Sequence, residues 1–219
     1  MLKKKINGVW QNCYKVKRAR NGSWYDLNYQ TIGYPGLSRY TNGSWVRIYF
    51  PEITIIGYSF GTSGGNNEVY CLRQEGTYFK SEFGVSDSYY YGSSTRTTRG
   101  YFGTFPAVSG DTLECYLDYE NTSSSYGSTN VIIRLVNFSS ESSTSYSTIY
   151  TIINSSTSTQ SGYTFNYTFS SSYNNVGFYI ETKASAGSGS TASRANATID
   201  YLALNNNRIY VPTISYEND

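Results

Sequence analysis

The sequence predicts an all-β protein: a small N-terminal β-hairpin domain followed by an antiparallel β-sandwich. Three observations carry that prediction. Aromatic residues fill 17% of the 219 positions, too many for a disordered chain, and the abundant Tyr and Thr, with Val and Ile, suit a pleated surface. No window sustains apolar residues at three- and four-residue spacing over three turns, as an amphipathic helix requires. Several segments alternate apolar and polar residues instead.

The N-terminal part repeats a small pattern, Asn7-Gly8-Val9-Trp10, Asn21-Gly22-Ser23-Trp24 and Asn42-Gly43-Ser44-Trp45. Asn-Gly supplies the two positive-φ residues of a tight hairpin turn, and each Trp begins a return strand with a large side chain to bury. The flanking strands are expected at 3–6, 13–18, 25–27 and 46–50. Residues 51–67 contain Pro51, Gly57, Gly61, Gly64 and Gly65 and read as a linker, although Ile53, Ile55 and Ile56 could form a short strand first.

From residue 68 onward short strands follow one another. Residues 130–137, Asn-Val-Ile-Ile-Arg-Leu-Val-Asn, crowd five aliphatic side chains into six positions, which predicts a central strand. Over 112–119, Leu113, Cys115, Leu117 and Tyr119 alternate with Thr112, Glu114, Tyr116 and Asp118, so one face belongs to the core. Tyr163, Phe165, Tyr167 and Phe169 form a second inward set, and Val176, Phe178 and Ile180 a third. Weaker strand signals lie at 69–72, 101–105, 147–153 and 197–204. About eight strands with turn-rich connections imply a two-sheet sandwich or jelly roll over 68–205, with 206–219 as a C-terminal tail. The polar tracts 139–145 and 184–195 read as surface loops.

Charge is divided along the chain. Residues 1–50 hold nine basic side chains against Asp26 alone, a balance of +8, so the other 169 residues carry −6 to reach the total of +2. A basic end suits docking to an acidic partner surface, with nucleic acid as the sharper and less expected alternative. Cys13, Cys71 and Cys115 form no C-x-x-C pair and there is no His to complete a zinc site, so reduced thiols are expected. Lys3, Lys4 and Lys5 are followed by no apolar run, so neither a signal peptide nor a membrane span is expected.

Two features resemble known families. Val108-Ser109-Gly110-Asp111-Thr112 leading into an alternating strand, Tyr163-Thr164-Phe165 further on, and the late strand 197–204 with Asp200 look like the middle and end of jelly-roll domains similar to carbohydrate-binding modules. That resemblance implies structural calcium, with Glu68 and Asp200 at the matching positions. The Asn-Gly-x-Trp repeat behind a lysine-rich start resembles the N-terminal segments of bacteriophage virion proteins of the tail, fibre or capsid-decoration type. It implies an attachment part, with Lys3, Lys4, Lys5, Trp10, Trp24 and Trp45 as its contact residues. It also implies other virion proteins as partners, a homo-oligomer, and a distal domain for assembly or contact with a host surface glycan.

Without His there is no Ser-His-Asp triad, and no phosphate or dinucleotide fingerprint occurs, so no enzyme is expected. Glycoside hydrolysis needs only two carboxylates; Asp118 and Glu120 share a face at roughly 6.6 Å by strand rise, but read better as solvated rim acids. Sugar binding needs exposed aromatic faces beside polar groups. The candidates are Tyr89, Tyr90 and Tyr91, at least one of which must turn outward, with Tyr116 and Tyr179, which alternation places on outer faces. Tyrosines also enrich subunit interfaces, and that reading stands above the sugar site.

Overall fold

In the computed structural model the described residues are 3–6, 9–12, 17–20, 23–26, 37–41, 44–49, 53–61, 67–74, 80–89, 94–123, 126–187, 192–209, 211 and 214–218. The chain divides into two units, Met1–Gly33 and Tyr34–Asp219, so the division falls inside the basic stretch 1–50. In the first unit β1 (Lys3–Ile6) pairs with β2 (Val9–Asn12), and β3 (Lys17–Arg20) pairs with β4 (Ser23–Asp26). In the second, β5 (Leu37–Thr41) pairs with β6 (Ser44–Tyr49). Ile6 faces Val9, Arg20 faces Ser23 and Thr41 faces Ser44. Two residues separate the paired strand ends in each case, the spacing of a two-residue hairpin loop, and the Asn-Gly dipeptides themselves lie outside the described residues.

The rest of the second unit is an antiparallel β-sandwich. Its strands are β7 (Thr54–Phe60), β8 (Asn67–Gln74), β9 (Lys80–Tyr89), β10 (Ser94–Ala107), β11 (Thr112–Thr122), β12 (Ser128–Phe138), β13 (Tyr146–Ser156), β14 (Gln160–Thr168), β15 (Tyr173–Ala186), β16 (Ser193–Leu204), β17 (Asn207–Arg208) and β18 (Ile214–Asn218). One sheet has the order β13-β12-β15-β10-β7; the other runs β14-β11-β16-β9-β8-β18, with β17 beside β16. Among the described residues every regular element is a strand.

Alternation places the core. Along β11, Leu113, Cys115, Leu117, Tyr119 and Asn121 are buried between exposed or half-buried neighbours. The aliphatic run 130–137 forms most of β12, an interior strand, whereas β15 takes the centre of its sheet. Residues 51–67, expected as a linker, hold β7, which pairs with β10 because three isoleucines give the segment apolar surface to bury. Of the expected inward set, Phe165 on β14 and Phe169 just after it are buried but Tyr163 is 37% exposed: beside it Gly162, at φ +66°, breaks the register and ends the alternation. Gly177 must lack a side chain, because a Cβ there would collide with the Phe102 carbonyl oxygen and the Phe138 ring.

The motif Val108-Ser109-Gly110-Asp111 acts as a lock. Gly110 takes φ +93°, and Asp111 Oδ2 accepts from the Val108 amide at 2.8 Å. Asp111 Oδ1 accepts from Asn205 Nδ2 at 2.7 Å, while Asn205 Oδ1 accepts from the Thr112 amide at 2.9 Å. Asn205 and Asn206 both have positive φ and turn β16 into β17, the two-residue turn that Asn tolerates. Asn205→Ala removes two of these bonds and is expected to destabilise the sandwich by about 1–3 kcal/mol in denaturant titration. An unchanged midpoint would show the lock to be idle.

Candidate functional site

Two outer faces and one interior cluster concentrate polar and aromatic groups. On the outer face of the five-stranded sheet, register aligns Tyr101, Tyr179 and Arg134 across β10, β15 and β12. Val136, Phe138 and Tyr179 are buried there, with Ile56, Tyr101, Ile132 and Tyr146 packed against them. Tyr179, expected to be an open outward ring, does lie on the outer face, but it is only 6% exposed. The reason is crowding by long neighbours: Tyr146 stacks on it at 5.2 Å, Tyr101 tilts against it at 5.4 Å, and the Arg134 guanidinium sits 5.7 Å above its ring. Its hydroxyl donates to Glu181 Oε2 at 2.6 Å, and the same oxygen accepts from Arg99 Nε at 2.6 Å. Desolvation, then the bond to Glu181, push the Tyr179 phenol above its ordinary range, so it stays a neutral donor.

On the outer face of the seven-stranded sheet Tyr116 is 39% exposed, as expected. It faces Tyr201 across β11 and β16, and the rings stack at 4.6 Å and 23°. Arg208, brought alongside by β17, lies 5.5 Å above the Tyr201 ring. Each ring therefore spends one face on the other, and Tyr201 offers no open platform. Glu114 Oε1 accepts from the Tyr116 hydroxyl at 3.2 Å, and the charge of Glu114 raises the Tyr116 phenol. The carboxylates weighed for hydrolysis are held in place: Asp118 Oδ1 accepts from the Gly162 amide at 2.6 Å, and Glu120 accepts from Asn196 Nδ2 at 2.9 Å and from the Thr122 hydroxyl at 3.2 Å.

The interior cluster was not anticipated. Asp87 on β9 and Arg96 on β10 are 0% and 1% exposed, beside buried Asn67, Thr98 and Thr182. Thr98 donates to Asn67 Oδ1 at 2.9 Å. Burial pushes the Asp87 carboxyl up to about 7, against the opposing pull of the Arg96 charge and the Ala184 backbone. Burial also pushes the thiols of Cys71 and Cys115 upward, and both are free.

The remaining expected sites are scattered or undescribed. Glu68 faces Ser86, which faces Asn196, so Asp200 lies two strands across and four positions along, roughly 16 Å away by strand spacing and rise. The structure therefore does not bring Glu68 and Asp200 into one calcium site. Among the described residues no group of three Asp, Glu or Cys side chains could hold a metal ion. Tyr89 ends β9 opposite Ser193, with its side chain outside the described residues, and Tyr90 and Tyr91 lie outside them altogether. Lys3, Lys4 and Lys5 face Asn12, Gln11 and Trp10; Trp24 faces Ala19 and Trp45 faces Tyr40, while their side chains also lie outside the described residues. No helix among the described residues is long and apolar enough to cross a membrane. Tyr201 and Tyr146, which complete the two aromatic groups, were hidden by a bulge in β16 and by the polar start of β13.

Comparison of the chain with protein-family models, curated proteins and solved structures gives no match. Fold and surfaces together define an antiparallel β-sandwich protein.

Proposed function

We propose that the sandwich is a jelly roll and that the chain is a structural component of a bacteriophage particle, serving in the tail, a fibre or the head decoration. In this reading the basic N-terminal part docks to other virion proteins, and the sandwich is displayed for assembly or host-surface adhesion. The observation that carries it is the strand order. The eight strands β9 to β16 fall into two groups of four, β9-β16-β11-β14 and β10-β15-β12-β13. Alternation of this kind between two sheets is the double Greek key of the jelly roll, an architecture shared by viral capsid and lectin domains. The step from architecture to particle is analogy at the level of fold, supported by the concentration of basic charge in residues 1–50. Many copies on a symmetric particle would turn weak single contacts into avidity.

The test is mass spectrometry of purified particles together with co-sedimentation of the added protein. The protein is expected in the particle fraction, and a chain with Lys3, Lys4 and Lys5 all changed to Glu is expected to lose it. Absence of the wild-type chain from particles overturns the reading. A stand-alone carbohydrate-binding module is the second reading, favoured by the Tyr101, Tyr146 and Tyr179 strip flanked by Arg99, Arg134 and Glu181. That reading requires monomeric binding on a glycan array, reduced by Tyr146→Ala.

A further inference from the structure

Edge strands are normally guarded by lysine, proline or inward-pointing charge, because their unpaired backbone groups invite another strand. At β13 and β14 this sandwich lacks those guards. Residues 142–180 contain no charged residue and no proline, and they include both β13 and β14, each an edge strand of its sheet. Interior strands carry the charges instead, with Arg96 and Arg99 on β10, Glu114, Asp118 and Glu120 on β11, and Arg194 and Asp200 on β16.

These edges differ in regularity, and β7, a third edge without charge or proline, pairs with β10 across a register shift between Tyr101 and Phe102. Pairing of β13 with β12 shifts register three times, so that edge is irregular. On β14, residues Tyr163 to Thr168 pair with β11 without a break, facing Leu117 to Thr112, and among the described residues β14 has no partner on its other side. A second observation converges there. Of the five large, exposed aromatic side chains among the described residues, three flank this edge: Tyr163 on β14, Tyr116 facing Thr164, and Tyr150, stacked on Phe165 at 5.5 Å. Tyrosine-rich, charge-poor composition is that of interface centres.

We propose that β14 pairs antiparallel with β14 of a second copy around a twofold axis, joining two seven-stranded sheets into one continuous sheet. The occupant is a second copy because a twofold antiparallel pair sets the same strand against itself. Any charge on it would then meet its like, whereas Thr164, Asn166 and Thr168 meet without repulsion. This inference deepens the assembly reading above and rests on it.

Sedimentation equilibrium of the full chain is expected to give an even-numbered assembly. Thr164→Lys with Asn166→Lys places two charges at exposed positions outside the core, leaves the circular dichroism spectrum unchanged, and is expected to halve the mass. Mixing that chain with the Thr164→Glu, Asn166→Glu chain is expected to restore the pair about tenfold more tightly than either alone. Ser140→Lys, in an exposed loop of the other sheet, is expected to keep the wild-type mass. A wild-type monomer at every concentration, or an unaltered mass in the double-lysine chain, overturns the proposal. Particle association without pairing would remove this edge and leave the proposed function standing; pairing without particle association would do the reverse.

Discussion

Asp87→Ala is expected to destabilise the sandwich by roughly 1–3 kcal/mol, because it opens a void at a fully buried position of β9 beside the equally buried Arg96, Asn67 and Thr98. Two core positions in a β-sandwich are normally filled by apolar side chains, and here they hold opposite charges. Asp87→Leu combined with Arg96→Met removes both and is expected to restore wild-type stability or exceed it. Urea unfolding of the three chains decides the matter; a double variant as weak as the single one would sink the account. The pH dependence follows from the raised carboxyl. Since Asp87 takes up its proton near pH 7 when folded and near its ordinary 3.8 when unfolded, the native state binds more protons between those limits. Wild-type stability relative to Asp87→Asn is therefore expected to rise as the pH falls from about 7 to 4, by on the order of 4 kcal/mol, and to level off below. A difference that stays flat across that window would place the carboxyl elsewhere.

Phe83→Ala is the second large effect, expected at about 3–5 kcal/mol. Phe83 projects from β9 of one sheet and meets Phe102 at 5.1 Å and Phe178 at 5.5 Å on the other, with 1% of its surface exposed. Its loss opens a cavity bounded by two rings on strands already fixed by close backbone contact at Gly177, so the walls have little room to collapse. Phe83→Leu keeps more of the volume and is expected to cost less than half as much. Thermal unfolding of both variants provides the measurement, and equal losses would contradict the cavity argument.

How much was legible depended on whether a strand obeyed the rule of apolar inside and polar outside. β11 obeys it from Leu113 to Tyr119, and its face, register and buried Cys115 could be read directly. The pairings of β1 with β2, β3 with β4 and β5 with β6 were equally plain, since Asn-Gly between two strand candidates is the sequence signal of a short hairpin. β9 and the first half of β10 were hard to read because Asp87 shares the inward face of β9 with Phe83 and Val85, while Arg96 and Thr98 occupy that of β10, and such residues count as surface signals until they are seen buried. Tyr179 was placed on the right face, yet alternation knows nothing of the neighbours two strands away that close over it. The pairing of Glu68 with Asp200 came from likeness of sequence position, and register separates them. The Tyr116 and Tyr201 stack needed the bulge in β16, a one-residue displacement that composition cannot announce.

The far edge of the larger sheet has a kinetic consequence. Ile214 of β18 stands opposite Cys71 of β8, 143 positions apart, while the other side of β8 is occupied at once by β9. During synthesis the β8 backbone must wait for nearly the whole sandwich to leave the ribosome before its ladder can close, and such distant pairings are slow to form. Nascent chains halted before residue 214 should consequently hold a half-built sheet with β8 as a raw margin.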